Sequence, residues 1–331
     1  MYSGKENFLV QKWVTVLSVV LFILKITAYY LTDSLAILSD AMESIVNIVA
    51  GFIGLYSLYI AAQPRDENHP YGHGKAEFIS AAAEGSLIIA AGILIIYETI
   101  VNTLENHTVQ ALDNGMWLVG STALLNYIAG AVCIRIGRKN NSLALESSGK
   151  HLQIDTYSTL GVLAAITLIY FTQIYWLDKV VALALSIWIM YNGYTILRKS
   201  LAGIMDEADE QILKKFIGVL NTSKSSKWID LHNLRVIKYG DLLHIDCHLT
   251  LPWYYNVHEA HREIDNLSSL IRENFGDSIE LFVHTDGCLP YSCAICSLSD
   301  CKERTQTFQQ SLDWTLENVV SNQKHRIAEQ A

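Results

Sequence analysis

His151 and Asp155 stand four residues apart in an otherwise apolar stretch, and Asp40, Glu43 and Asn47 stand three and four apart in another. Residues at those spacings share one face of a helix. An ionisable group held in hydrocarbon is costly, so by default it marks a transport path or a coupling site. An imidazole, carboxylates and an amide brought together by two helices make a divalent-cation site. The bland alternative is a set of polar contacts between helices of a bundle.

The elements that must position these groups follow from the distribution of charge. The chain has 331 residues, 51% of them hydrophobic and 17% charged, but charges are sparse from about residue 8 to 197 and ordinary thereafter. A membrane-spanning helix needs roughly 20 mostly apolar residues. Six stretches meet that need, at about 9–31, 34–61, 78–102, 115–136, 151–171 and 175–197, the last two parted only by a short turn at Gln173. No signal peptide is expected, because the first apolar stretch is long and no small-residue cleavage site follows it.

Lys5 and Lys12 at the N-terminus, Arg65 and Lys75 in the second loop, and Arg135, Arg138, Lys139 and Lys150 in the fourth put the basic residues on one side. The first and third loops carry none, and Arg198 and Lys199 follow the last span. By the positive-inside rule both termini face the cytoplasm, which predicts a multi-pass protein of the cytoplasmic (inner) membrane, surrounded by lipid. The net charge of −9 falls mostly in the soluble tail, and no basic patch with interleaved aromatics points to nucleic acid.

From about Met205 the pattern reads helix, strand, strand, helix, strand. ADEQILKKFIGVL has helical apolar spacing, LHNLRVIKYG and DLLHIDCHLTLP alternate as strands joined at Gly240–Asp241, NVHEAHREIDNLSSLIRENF is helical and SIELFVHTD is a strand. The predicted division is a six-span domain over 1–204, an αββαβ domain over 205–287, and a Cys-rich segment with a terminal amphipathic helix over 288–331. That last helix rests on a stripe of Phe308, Leu312, Leu316 and Val319. His244 is expected at the surface of its strand, and Cys247 on the face opposite His248.

Cys288, Cys293, Cys296 and Cys301 form a C-x4-C-x2-C-x4-C array. A cytoplasmic setting disfavours structural disulfides. Four thiolates at this spacing can close a tetrahedral zinc site, which is the favoured expectation. The first three also have the plant-ferredoxin spacing, so an iron–sulfur cluster is the second choice, and free thiols the third.

SDAMESIVN from Ser39, KHLQIDTYSTLG from Lys150 and the loop QPRDENHPYGHGKAE from Gln63 together resemble the cation diffusion facilitator family of metal/proton antiporters. The resemblance covers nearly the whole chain: six spans, a cytoplasmic domain, the loop signature and the HxxxD of the fifth span. It implies a transporter rather than an enzyme, working as a homodimer by alternating access, with protons as counter-ion.

The resemblance also carries over sites. The transport site falls on Glu43, Asn47, His151 and Asp155, a loop metal site on Asp66, His69 and His73, and a binuclear cytoplasmic site on His232, His248, His261, His284 and Asp286. Lys75 and Asp206 match a charge interlock of the dimer. His258, one turn before His261, is a further candidate. The family's common zinc and iron members carry Asp at the Asn47 position and Asp or His at Glu43. The amide removes one negative charge, which Asp40 would restore from the same helix face. A neutral oxygen suits Mn²⁺ relatively better, while His151 keeps Zn²⁺, Fe²⁺ and Co²⁺ in contention. The rival expectation is a membrane-anchored metal sensor that binds without transporting.

Overall fold

The computed structural model describes residues 2–32, 35–105, 115–172, 176–240 and 242–327. Side chains are described for fewer of them: Asp40, Glu43 and Lys179 fall outside on that count, and Gln173 and Asp241 fall outside altogether. The chain forms two units, Met1–Met205 and Asp206–Ala331.

Six long helices make up the described part of the first unit: α1 (Tyr2–Thr32), α2 (Leu35–Ala61), α3 (Ala76–Glu105), α4 (Gly115–Lys139), α5 (Leu143–Thr172) and α6 (Trp176–Ile204). Lys5–Thr27 and Ala76–Val101 are, among the described residues, long and apolar enough to cross a membrane by length and composition. α3 lies along α6, α4 along α5 and α1 along α2. Glycines set two of these seams. A Cβ on Gly85 of α3 would stand 2.9 Å from the Gly193 carbonyl of α6, and one on Gly130 of α4 would stand 2.7 Å from the Gly149 carbonyl of α5. Small residues let helix backbones approach in this way where lipid leaves no hydrophobic force between helices. The outward faces bear large apolar side chains such as Phe52, Leu94, Leu124 and Ile187, while Gln11, Ser44, Asn47, Glu84 and His151 are buried. That distribution suits a lipid surround.

The second unit runs α7 (Glu210–Thr222), β1 (Asp230–Tyr239), β2 (Leu242–Leu251), α8 (Val257–Phe275) and β3 (Ile279–Gly287). Asp209 caps α7, and Asn256 with Glu259 forms a capping box on α8. The sheet order is β1–β2–β3, with β1 and β2 antiparallel and β2 and β3 parallel. Leu213, Phe216 and Leu220 of α7 and Leu267 and Ile271 of α8 close over Leu231, Ile245 and Leu249 of the sheet. Cys247 belongs to this core, and burial pushes its thiol up to about 12.

Two expectations need correction. His244 is buried, not at the surface: β2 is the central strand, so Ile237 and Glu280 flank it, and its ring lies 5.0 Å from that of Phe282. The terminal helix shrinks to α9 (Leu316–Val319), because Thr315 caps it from an extended backbone. Val319 of the expected stripe is buried, as is Trp314 off it, and Asn221 of α7 bonds both the backbone N–H and the carbonyl of Trp314. Those long-range bonds replace the helical ones, and Phe308 stays exposed.

Candidate metal centre

Between α2 and α5 a buried cluster joins three of the side chains singled out above. Asn47 Nδ2 donates to Asp155 Oδ2 at 2.5 Å, and His151 Nε2 stands 2.5 Å from Asn47 Oδ1. With the Asn47 amide nitrogen turned to the carboxylate, its oxygen is the acceptor, so the imidazole Nε2 carries the hydrogen. His151 Nε2 and Asp155 Oδ2 are 3.9 Å apart. Asn47 is therefore a clasp, tied to an acid on one side and a base on the other. α2 also carries Asp40 and Glu43, whose side chains lie outside the described residues.

Three buried ionisable groups nearby were not singled out in the sequence. Ser147 and Ser148, just before His151, each donate to one oxygen of Glu84 on α3 at 2.5 Å. About a turn earlier, Ser142, just before α5, and the Ala144 N–H bond Glu77, also on α3. Lys25 of α1 donates to Ser44 of α2 at 2.9 Å. The rule that drew attention to His151 applies equally to these three, since each is an ionisable residue in or beside an apolar span.

In the loop between α2 and α3, Asp66, His69 and His73 bring one ligand atom each within 4.8 Å of one another. Asp66 Oδ1 lies 3.0 Å from His69 Nδ1, and Oδ2 lies 3.3 Å from His73 Nε2. Gly72, at φ +90°, supplies the left-handed step that turns His73 back towards His69. Desolvation acts to raise the Asp66 carboxyl, but the His69 N–H and the two imidazoles hold it below its usual range. Lys75 bonds the Ile204 carbonyl at the end of α6. Asp206, in the other unit, has a left-handed backbone at φ +57°.

Register builds the site of the second unit. His232 pairs with His248, and His248 with His284, so three histidines stand in a row across β1, β2 and β3. Asp286, two residues on, faces the same side. His232, His248 and Asp286 converge within 4.8 Å, with Asp286 Oδ2 at 3.2 Å from His248 Nδ1 and 3.5 Å from His232 Nε2. The His284 ring lies 4.6 Å from that of His248. His261 does not join them in the protomer: it is exposed on α8 and faces Asp265 at 3.8 Å. His258 is likewise exposed.

The tail supplies partners that sequence did not signal. Lys324 Nζ lies 3.0 Å from Asp286 Oδ1, and His325 Nδ1 lies 2.6 Å from Asp230 Oδ1. Asp230 in turn stands 3.5 Å from His232 Nδ1, where it orients the ring. Burial acts to raise the Asp230 carboxyl, but His232 and His325 hold it far below its usual range. The Asp230 bond raises His325 against the opposing effect of burial.

A helical unit with polar groups clasped at its centre, followed by a small α/β domain with a histidine–aspartate site, defines a class of membrane cation transporter. Residues 12–205 match the cation efflux transmembrane domain, and residues 204–288 match the cytoplasmic domain of cation efflux proteins. The chain belongs to the cation diffusion facilitator family, whose members are membrane-integral transporters and not enzymes. Among the described residues, six long helices make up the part matched to the transmembrane domain, followed by a small αββαβ domain matched to the cytoplasmic domain, of a type associated with dimerisation.

Among its relatives is an uncharacterized transporter, sll1263, of Synechocystis sp., 29% identical over 77% of this chain and 82% of its own. The cation-efflux pump FieF of Pectobacterium atrosepticum is 26% identical over 82% and 90%. Protein p34 of Rickettsia rickettsii is 22% identical over 81% and 88%.

Proposed function

We propose that the protein moves a divalent cation out of the cytoplasm in exchange for protons, by alternating access in a homodimer of the inner membrane. Glu43, Asn47, His151 and Asp155 bind the ion, with Asp40 as a further contributor. The observation that carries this reading is the buried clasp of Asn47 between His151 and Asp155. A cation entering it must take the His151 lone pair, so the Nε2 hydrogen has to leave that nitrogen, and the carboxylates have to be ionised.

Zn²⁺ is the first choice of substrate, ahead of Fe²⁺, Mn²⁺ and Co²⁺, because imidazole and carboxylate ligands suit it. Asp66, His69 and His73 bind a second ion in the loop. His232, His248, His284 and Asp286 bind in the cytoplasmic domain, with His261 a ligand only if a rearrangement or a second protomer brings it there. Lys75 and Asp206 form the dimer's charge interlock. The functional division is 1–204 for transport, 205–287 for metal-dependent dimerisation and 288–331 for the cysteine-bearing tail.

Flux of a panel of these metals into reconstituted vesicles, with and without a pH gradient, is the test. Flux that responds to the gradient supports exchange, and flux indifferent to it removes the proton coupling. Binding without flux of any metal makes the protein a sensor instead.

A further inference from the structure

The matched cytoplasmic domain ends at residue 288, and the chain beyond it builds a separate feature. Cys288 follows the end of β3, Cys293 lies in the 3-10 turn Pro290–Ala294, and Cys296 and Cys301 follow. All four line one cavity, with Ile229, Pro252, Trp253 and Leu298 as its apolar wall. Nothing in the chemistry of a transport path requires four thiols here.

Cys293 Sγ lies 3.7 Å from the Thr305 hydroxyl. Arg304 pins the loop from its other side, donating to the carbonyls of Cys293 at 3.0 Å, Cys296 at 3.0 Å and Leu298 at 2.6 Å. Its charge offsets what bound thiolates would bring. An apolar wall and a neighbouring cation are among the means by which proteins hold and tune thiolate-ligated centres.

The spread of the sulfurs decides which centre. A single zinc with bonds of about 2.3 Å draws its four sulfurs to about 3.8 Å from one another. Among the described residues, no three of these sulfurs lie within 4.8 Å of one another, although the loop site and the His232 site both converge that closely. Thiolates bound to different iron atoms of one cluster stand wider and surround a volume rather than a point. We infer that this cavity is the seat of an iron–sulfur cluster held by Cys288, Cys293, Cys296 and Cys301, which reverses the preference for zinc that spacing alone gave. Each thiol gives its proton to solvent on taking an iron, and no electron is required of the protein.

Position gives the cluster a consequence. Cys288 is two residues past Asp286, and Lys324 bonds both the Gly287 carbonyl and Asp286. The presence or loss of a cluster therefore acts directly on the strand end that carries the histidine–aspartate site. The inference stands independently of transport.

The test uses the full-length protein, purified without oxygen in detergent and supplied with ferrous and ferric iron and sulfide. Iron, acid-labile sulfide, zinc and the visible sulfur-to-iron absorption are then measured. The expected result is bound iron with matching labile sulfide and that absorption. In Cys301→Ser and in Cys293→Ser the sulfide should fall to background, while His69→Ala keeps it. Labile sulfide separates this site from the histidine sites, which take metal without it. Wild-type protein that binds no labile sulfide, or that binds one zinc through the four thiols, overturns the inference whether or not the variants fold.

Discussion

The clasp in the membrane and the histidine row in the cytoplasmic domain use similar side chains in opposite ways. In the membrane, Asn47, His151 and Asp155 come from two helices and are tied to one another by short hydrogen bonds. On the proposed function a cation enters by displacing those bonds, which suits a site that must fill and empty. In the cytoplasmic domain, strand register fixes His232, His248 and His284 in line before any ion arrives. There the competing groups come from elsewhere: Lys324 lies on Asp286, and His325 lies on the carboxylate behind His232. A site made by the backbone is suited to holding an ion, and one made by side-chain exchange to passing it on.

The largest effect expected from breaking this contrast needs no change of ligand. Gly149→Val drives a side chain into the Gly130 carbonyl, 2.7 Å from where its Cβ would stand, and moves the helix that carries His151 and Asp155. Metal flux in vesicles should be lost, with the cytoplasmic site still binding zinc. An equal change in the sheet would matter less to its site, because strand pairing holds those ligands.

Asn47→Asp sharpens the comparison. It replaces a clasp with a third carboxylate, and should tighten metal binding on the order of tenfold by added attraction. Binding should also become steeper in pH, because clustered carboxylates without a cation retain a proton. Calorimetry at two pH values across several metals checks both effects.

A smaller change is expected at the other site. Lys324→Ala removes the ammonium that faces Asp286 Oδ1 at 3.0 Å, and should strengthen zinc binding there severalfold. In a chain also carrying Asp155→Ala, Asp66→Ala, Cys293→Ser and Cys301→Ser, calorimetry reads this site without the membrane, loop and cysteine sites.

The smallest effect is a pH dependence. His325 is raised by Asp230, so its contribution to stability is complete below the ordinary imidazole value of about 6.5 and fades as pH climbs through the raised one. Asp230 is lowered, so its own contribution is present above about 3.9 and is lost only as pH falls through the depressed value. The melting temperature of His325→Gln should therefore lie below wild type near neutral pH and approach it as pH rises, measured by thermal shift.

Hydropathy made the helices legible, and alternation made the strands legible, because both periods are local. Other features depended on partners far away in sequence. His244 alternates like a surface residue and is buried only because β3 covers the far edge of β2. The tail has helical spacing, yet Asn221 and the pocket for Trp314 dictate an extended chain. Lys324 and His325 reach their carboxylates across about 40 and 95 residues, which no local pattern announces. Glu77, Glu84 and Lys25 are different: each was visible as a charged group in or beside an apolar run, without the three- and four-residue spacing that drew attention to His151.

The central claim is that the cation passes through the clasp, while the cytoplasmic row serves another purpose. Flux of zinc into vesicles, measured side by side for wild type, Asp155→Ala and His232→Ala, tests it most directly. The account predicts no flux through Asp155→Ala and retained flux, altered at most in its response to metal concentration, through His232→Ala. Near-normal flux through a folded Asp155→Ala protein would contradict it and place the path elsewhere.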